Sequence, residues 1–395
     1  MYGNFKFKYN SEIVFGKDAE SETGTLVKKY GGSKVLIVYG GGSVVKSGLL
    51  ERVIDSLDKS GIEHVEFGGV QPNPRRSYAQ EGLEFALKED VDFLLGIGGG
   101  SAIDTAKAIA LGIANDGDFW QLFNGKPHDK TLPVGTIHTI AATGSETSRS
   151  LVLVDDIDTG QKKGLWTSFR PCFAIMNPEL TYTLPTYQCA AGCVDIFAHT
   201  YMRYFSNYDS SLGDRYCEAT MKTVIKYAPI VIAEPENYEA KAEIMLAGSF
   251  SHCDFMMIGR PEGQSGGEHA LESQLSGYYD TTHGAGLSVI MPALLKFFIE
   301  HGTEKQVARV AMFAENVFDV DPSPEGDSET AKIGVERFKD WLKSIDMPVT
   351  LSELGIPSSD VSEAVSRCMQ ARGEKISGFI DLYEADVLEI YNHCV

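Results

Sequence analysis

Short apolar runs alternate with amphipathic stretches between about residues 33 and 185 of the chain. The runs KVLIVY and DFLLGIGGG are typical of buried strands, whereas LLERVIDSL and YAQEGLEFALKED repeat apolar positions with a helical period. This alternation predicts a parallel α/β sheet. The N-terminal stretch MYGNFKFKYNSEIVFG alternates aromatic and polar residues, which predicts that the chain starts with strands.

The pattern changes after Pro185, where long helical periodicity dominates as far as residue 395. Turn-forming residues interrupt it at several places, for example near Pro235. We therefore predict a domain boundary near residue 185, with an α/β domain over 1–185 and an all-α domain over 186–395.

Length, composition and charge disfavour several classes of protein. With 395 residues, 43% apolar and 23% charged, the chain is long enough for two domains and has no run of eighteen uninterrupted apolar residues. A net charge of −20 disfavours nucleic acid as a partner, because phosphate binding needs clustered Lys and Arg. The seven cysteines form no C-x-x-C pair, and the N-terminus has no secretory signal pattern. We expect a cytoplasmic protein without a disulfide framework or a membrane partner.

A glycine-rich turn follows the apolar run that ends at Ile97. It reads Gly98-Gly99-Gly100-Ser101 and precedes a helical stretch that carries Asp104. A strand-to-helix turn of this kind exposes backbone N–H groups at the positive end of a helix, which suits a pyrophosphate. The loop departs from the G-x-G-x-x-G fingerprint, since its last position is Ser101, and a plain tight turn explains a single triplet equally well.

A second triplet, Gly40-Gly41-Gly42-Ser43, follows the preceding apolar run in the same way. Two such loops at successive strand ends favour a nucleotide ligand. An acidic residue here would hold the ribose of NADH and repel the 2′-phosphate of NADPH. Glycines, Ser43 and Lys46 fill the place instead, which favours NADPH, although glycines also admit NADH. Asn73 lies in a Pro-Asn-Pro turn that either approaches the adenosine or is only a rigid turn.

Asp195 and His199 lie four residues apart in the apolar segment CVDIFAHTYMRYF, which follows a predicted helix start with Thr186 as N-cap. The spacing puts both side chains on one helical face, where an unpaired carboxylate is costly to bury. An Asp–His hydrogen bond in a core explains this pair equally well.

Two further histidines extend the pattern, His269 after a glycine-rich run and His283 in the motif HGAG. The thirteen residues between them are enough for one helix and a turn. One carboxylate and three imidazoles suit Fe²⁺ or Zn²⁺ and differ from a calcium cage or a thiolate site. His138, His252 and His301 lack such a context and are predicted to be structural or surface residues.

Together these motifs resemble the iron-containing, or group III, alcohol dehydrogenases, and most closely the branch of butanol dehydrogenases and NADPH-dependent aldehyde reductases. The resemblance extends from the N-terminal strands to beyond residue 350. It rests on the two glycine loops, Thr143-Gly144-Ser145-Glu146, Asp195-x-x-x-His199 and His269…His283-Gly-Ala-Gly.

The resemblance implies a Rossmann-like nucleotide-binding domain over residues 1–185 and a helical metal-binding domain over 186–395, with cofactor and metal in the cleft between them. It implies a homodimeric enzyme that uses NADP or NAD to interconvert a small alcohol and an aldehyde. The expected metal is Fe²⁺, with Zn²⁺ or another divalent ion as the alternative. The family's metal ligands correspond to Asp195, His199, His269 and His283. Its cofactor site corresponds to Gly40, Gly41, Gly42, Ser43, Asn73, Gly98, Gly99, Gly100, Ser101, Asp104, Thr139, Ile140, Thr143, Gly144, Lys162 and Leu180.

One departure from the family concerns the proton path. Relatives often carry a histidine four residues after the ligand that corresponds to His269, and this chain has Ser273 there. We expect His269, His283 and Ser273 to take part in catalysis, with the proton passing through water, a cofactor ribose hydroxyl, or Ser273 with water. The loop GRPEGQSGGE at 259–268 is polar where relatives commonly have an aromatic residue, so substrate preference does not follow from the family.

Two other functions stay open on sequence alone. A lyase related to dehydroquinate synthase shares the fold, NAD and a metal, but it needs clustered Lys and Arg for a phosphorylated, acidic substrate. Residues 195–285 offer few candidates beyond Arg203, Arg215 and Arg260. The second alternative is a non-catalytic cofactor- or metal-binding member of the fold.

Overall fold

The computed structural model describes residues 3–261 and 267–395 of the chain. It divides into two compact units, Tyr9–Thr183 and Leu184–Val395, with the segment Met1–Lys8 grouped with the second. The first unit is a parallel sheet with helices and the second is helical, so the predicted fold class is confirmed.

The first unit is built from strands and helices that alternate along the chain. Its strands are β1 (Glu12–Phe15), β2 (Lys34–Tyr39), β3 (Glu63–Gly68), β4 (Phe93–Gly98), β5 (Val134–His138), β6 (Ser150–Val154), β7 (Lys162–Trp166) and β8 (Phe173–Met176). Its helices are α1 (Thr23–Lys29), α2 (Ser43–Lys46), α3 (Leu49–Lys59), α4 (Arg76–Glu89), α5 (Gly100–Ala114) and α6 (Trp120–Phe123).

Within the described residues, six strands form one parallel sheet in the order β1-β8-β5-β4-β2-β3. The alternation of side chains along β2 explains the layers. Val35 and Ile37 pack against α1 and α3 on one face, whereas Leu36 and Val38 pack against α4 and α5 on the other. Burial on both faces is what the continuous apolar run KVLIVY predicts.

The direction of chain travel across the sheet reverses beside β2. From β2 the chain moves outward to the edge strand β3 and then returns to β4, which pairs with the other side of β2. In open α/β sheets, ligands bind outside the carboxyl ends of the strands at such a point. The turns that follow Tyr39 and Gly98 lie at these two ends.

Two local features differ from the sequence expectations. The predicted N-terminal strands are wrong for residues 3–11, because the first strand begins at Glu12. The aromatic alternation serves packing instead, since the Phe7 ring meets Phe255 edge to face with centroids 4.8 Å apart. In addition, β6 and β7 form an antiparallel hairpin that the lysine- and glycine-containing sequence KKGLW did not predict.

The second unit consists of packed helices. They are α7 (Thr186–Tyr204), α8 (Ser211–Ala233), α9 (Tyr238–Ser251), α10 (Glu268–Tyr279), α11 (His283–His301), α12 (Glu304–Phe318), α13 (Asp327–Ser344), α14 (Val361–Arg372) and α15 (Glu384–His393). By length and composition, α11 could cross a membrane, but 78% of its apolar window is buried inside the structure. It packs against α7, α10, α13 and α15.

The start of α7 corrects one sequence prediction. Pro185 is the N-cap, because its carbonyl accepts the N–H of Cys189 at 3.0 Å, and Thr186 is the first helical residue. The predicted N-cap at Thr186 is therefore wrong by one residue. The helix still carries Asp195 and His199 on one face.

Candidate functional site

Asp195 and His199 lie on a buried face of α7, with side chains that are 5% and 8% exposed. Their spacing of four residues brings His199 Nε2 to 3.7 Å from Asp195 Oδ1. This separation is too long for a hydrogen bond, so the simple Asp–His hydrogen bond that the sequence left open does not form here.

Helices α10 and α11 bring two more imidazoles to the same carboxylate oxygen. His269 Nε2 lies 3.8 Å from Asp195 Oδ1, and His283 Nε2 lies 3.7 Å from it. The ligand atoms of Asp195, His199 and His269 all lie within 4.8 Å of one another. The structure thus gathers the four candidate metal ligands that the sequence singled out, and we call this candidate site the metal-binding cluster.

The metal-binding cluster fits a divalent transition metal. Asp195 Oδ1 and His269 Nε2 are buried and have no hydrogen-bond partner among the described residues. Ligands held at about 2.1 Å around a tetrahedral ion lie about 3.4 Å apart, close to the three Nε2–Oδ1 separations. A carboxylate with imidazoles suits Fe²⁺ or Zn²⁺, and a cation offsets the cost of burying Asp195.

Two buried glutamates, which sequence reasoning missed, support the exposed side of the cluster. Glu268 Oε1 lies 2.7 Å from His269 Nδ1, and the Glu272 carboxylate contacts His283 Nδ1. Both glutamates are fully buried. A carboxylate that accepts from Nδ1–H fixes the imidazole tautomer, so that the Nε2 lone pair faces Asp195. The signal in the sequence was two acidic residues spaced one before and three after His269.

Electrostatics differ between the histidines. Burial and the neighbouring imidazoles hold the pKa of His199 well below its usual value. Burial also lowers the pKa of His269, but the carboxylates of Asp195 and Glu268 outweigh it and raise that pKa to about 9. Because a protonated imidazole cannot coordinate, a metal ion that binds His269 displaces a proton, and its affinity rises with pH.

We expect Glu272→Ala to weaken metal affinity about 10- to 100-fold, because His283 loses the carboxylate that orients it. A competition titration with a metal chelator measures this directly. Glu272→Gln keeps a carbonyl oxygen that can accept from Nδ1 and should recover part of the loss. The control is Glu336→Ala, which removes an exposed carboxylate. Unchanged affinity in Glu272→Ala would show that His283 needs no such support.

His252 also belongs to this neighbourhood, although nothing in the sequence around it pointed to the site. Its ring meets the His199 ring edge to face, with centroids 4.5 Å apart. The His199 carbonyl, in turn, accepts from Arg203 Nη1. His138, by contrast, lies in the first unit, where its Nδ1 is 3.4 Å from Glu146 Oε2.

Ser273 lies one turn after His269 on α10. Arg372, the last residue of α14, donates from Nη2 to Ser273 Oγ at 2.9 Å. The serine hydroxyl donates to the Ala270 carbonyl at 3.3 Å. Residues 262–266 of the polar loop before His269 lie outside the described residues, so the effect of that loop on substrate preference stays a prediction.

The first unit brings the predicted nucleotide-binding segments together. Gly98 has a left-handed φ of +146°, and α5 begins immediately after Gly99. A Cβ at Gly99 would approach Ile140 to 2.9 Å, and one at Gly100 would approach Thr143 to 2.6 Å. The β4–α5 turn therefore packs against the segment after β5 that contains Thr139, Ile140, Thr143 and Gly144.

The turn after β2 is more open than the turn after β4. A Cβ at Gly41 would meet nothing within 4 Å, and one at Gly42 would touch only the Lys46 side chain, at 3.4 Å or more. Ser43 is the first residue of α2. The lysine places a positive charge beside this loop.

Asp104 is held inside the first unit. Its carboxylate accepts from Ser145 Oγ at 2.5 Å and from the Val152 N–H at 2.9 Å. Lys107, also buried, donates to Ser145 Oγ at 2.7 Å. Burial raises the pKa of Asp104 and lowers that of Lys107 to about 8. In this arrangement Asp104 supports the β4–α5 turn by joining α5 to β6.

The remaining predicted cofactor residues are scattered over the first unit. Asn73 has a left-handed φ of +54°, and its carbonyl accepts from Arg75. Lys162 begins β7. Leu180 packs against the apolar core on the α1 and α3 side of the sheet.

Two family models match most of the chain. The model described as iron-containing alcohol dehydrogenase matches residues 10–178. The model described as the C-terminal part of the Fe-containing alcohol dehydrogenase family matches residues 189–395.

Relatives of known name are similar over nearly the whole length. NADH-dependent butanol dehydrogenase B of Clostridium acetobutylicum is 34% identical over 99% of this chain and 100% of its own. The NADPH-dependent aldehyde reductase YqhD of Escherichia coli is 32% identical over 91% of each chain. The crystal structure of NADH-dependent butanol dehydrogenase A from Thermotoga maritima has a TM-score of 0.93 and 36% identity, covering 99% of this chain and 98% of that one.

Proposed function

The chain belongs to the iron-containing alcohol dehydrogenase family, and from this premise we propose that it is a metal-dependent enzyme that uses NAD(P)H to reduce small aldehydes or NAD(P)⁺ to oxidise small alcohols. The proposed metal ligands are Asp195, His199, His269 and His283. Membership in this family favours the dehydrogenase over the lyase that sequence left open.

The observation that carries the proposal is the convergence of three imidazole Nε2 atoms, at 3.7–3.8 Å, on one buried carboxylate oxygen of Asp195. Three helices that are separate in sequence supply these side chains. An arrangement with an orphaned anionic oxygen at its centre is costly unless a cation occupies it.

When bound, the metal ion supplies a Lewis acid for the substrate oxygen and the nicotinamide supplies or accepts the hydride. The residues of the chain hold and orient these groups. Glu268 and Glu272 keep His269 and His283 in the tautomer that presents Nε2. The Ser273 hydroxyl is committed to Arg372 and the Ala270 carbonyl, which favours water or a ribose hydroxyl as the proton carrier.

Two features of the first unit support the nucleotide site. The glycine turns follow β2 and β4, the pair of strands at which the chain reverses its direction across the sheet. The α5 N-terminus adds N–H groups and a positive helix end for phosphate. Lys46 beside Gly42 favours the 2′-phosphate of NADPH, whereas named relatives use either NADH or NADPH.

An assay of purified, metal-depleted protein tests the function. After addition of Fe²⁺ or Zn²⁺, we expect butanal to oxidise NADPH, which is measured as a loss of the absorbance of the reduced nicotinamide.

The same assay measures cofactor preference. One charge-assisted contact from Lys46 should favour NADPH over NADH about tenfold in kcat/KM. Lys46→Ala should remove that preference.

Two outcomes would contradict the proposed function. They are turnover without metal, and no turnover of any aldehyde or alcohol by the metal- and cofactor-loaded protein.

Assembly and location follow as proposals of the same kind. We infer a cytoplasmic homodimer that acts on a small alcohol or aldehyde, without nucleic-acid or membrane partners. Light scattering behind a sizing column measures the mass of the assembly against the 43.2 kDa of one chain.

A further inference from the structure

The metal-binding cluster is exposed on one side. The side chains of Asp195 and His199 are 5% and 8% exposed, whereas those of His269 and His283 are 22% and 31% exposed. A substrate oxygen therefore reaches the cluster from the side of His269 and His283. Residues on α10 that follow His269 along the same face border this approach.

Ser273 is the residue on that face one turn beyond His269, about 6 Å along the helix axis. It is partly buried, and its hydroxyl accepts a hydrogen bond from Arg372. The serine thus holds a guanidinium from α14 at the position one turn beyond His269. Helix α14 ends at Arg372, which is exposed, and Gly373 follows with a φ of +85°. The guanidinium nitrogens that do not contact Ser273 therefore belong to an exposed side chain at the end of a helix.

Arg372 has spare donor capacity. Only Nη2 is used by Ser273, and within residues 3–261 and 267–395 no carboxylate lies at ion-pair distance from Arg372. Nearby cations are paired, since Arg367 contacts Glu363 at 2.7 Å and Lys375 contacts Asp381 at 2.5 Å. A guanidinium presents a planar set of N–H donors that binds carboxylates, phosphates and sulfonates with two parallel hydrogen bonds.

We propose that Arg372, positioned by Ser273, binds an anionic group at the far end of the substrate, so that the enzyme prefers negatively charged aldehydes to neutral ones of the same length. This inference rests on the proposed function. A short aldehyde with a terminal carboxylate has both an oxygen for the metal ion and an anion that a guanidinium binds. The departure of Ser273 from the family pattern then marks a change of substrate class.

The test compares 4-oxobutanoate with butanal, which has the same number of carbons and no charge. The wild-type enzyme should show a higher kcat/KM for 4-oxobutanoate, through a lower KM, and added salt should reduce the preference. Arg372→Ala should lower the ratio of the two kcat/KM values about tenfold or more, and Arg372→Lys by less, because lysine keeps the charge and loses the planar fork. The control is Lys375→Ala, which removes an exposed positive charge three residues away and should leave the ratio unchanged.

A second measurement distinguishes whether Arg372 binds an anionic group of the aldehyde or of the cofactor. Cofactor affinity, from the fluorescence of bound NADPH and NADH without substrate, should be the same in Arg372→Ala and wild type. Weaker cofactor binding with an unchanged aldehyde ratio would place the anion on the cofactor and overturn the proposal. An unchanged ratio with a lower melting temperature would assign Arg372 a structural role only and also overturn it.

Equilibrium binding measurements test the proposed anion site at Arg372 independently of whether the enzyme turns over an aldehyde. Calorimetry measures the affinity of the metal- and NADP⁺-loaded protein for 4-hydroxybutanoate and for 1-butanol. If no aldehyde is turned over, the proposed function fails, but tighter binding of 4-hydroxybutanoate that is lost in Arg372→Ala still supports the anion site. Equal binding by wild type and Arg372→Ala would overturn it.

Discussion

Replacing Asp195 with asparagine should abolish stable metal binding and lower aldehyde turnover by about three orders of magnitude or more. The substitution keeps the shape of the side chain and removes its negative charge. Asp195 is the only carboxylate in the metal-binding cluster, and all three imidazole Nε2 atoms lie 3.7–3.8 Å from its Oδ1. Without that charge, nothing in the cluster offsets the cost of bringing a dication into a buried site.

Two measurements are needed, because a loss of activity alone has many causes. Metal content after dialysis, determined by elemental analysis, should fall from about one ion per chain to near zero, and the metal dissociation constant should rise more than about a hundredfold. The control is Asp319→Asn, which removes an exposed partner of Lys222. Full metal content and activity in Asp195→Asn would refute the assignment of the site.

Gly284→Ala should destabilise the helical unit by about 3 kcal/mol or more. A Cβ at Gly284 would lie 1.9 Å from the Ala191 carbonyl oxygen and 2.6 Å from its carbonyl carbon, both backbone atoms of α7. Backbone cannot rotate away as a side chain can, so α11 and α7 would have to move apart. Since α7 carries Asp195 and α11 begins at His283, the same movement should weaken metal binding.

Urea unfolding and the chelator titration measure the two effects in one protein preparation. Gly277→Ala is a matched control, because Gly277 is an exposed helical glycine on α10 where an added Cβ would meet nothing within 4 Å. That change should be neutral or stabilise by up to about 1 kcal/mol. Equal stability of Gly284→Ala and Gly277→Ala would mean that the two helices do not meet as closely as described.

The missed elements of the fold have a common physical cause. Sequence periodicity reports local burial, and it cannot report which distant surface a residue packs against. The aromatic residues before Glu12 alternate like a strand but pack on the helical unit, as Phe7 does on Phe255. Conversely, KKGLW lacks strand-like alternation and becomes β7 because β6 pairs with it.

The candidate site divides in the same way. Spacing put Asp195 and His199 on one face of a helix, the sequence context of His269 and His283 added two candidate ligands, and the resemblance to the family implied the same four residues. None of these identified Glu272, whose role depends on α10 lying against α11 so that it meets His283 Nδ1. Arg372 lies 99 residues from Ser273, a separation at which sequence pattern carries no information about contact.

The sequence by itself determined the fold class and the two glycine turns at strand ends, and it predicted the four candidate metal ligands. These follow from hydrophobic period, turn chemistry and side-chain chemistry, which are local properties of the chain. Only the tertiary structure decided that three helices place three imidazoles around one carboxylate oxygen, and that Arg372 donates to Ser273 one turn beyond His269. These features depend on how closely the helices pack. At Gly284, α11 and α7 can approach this closely only because glycine has no Cβ.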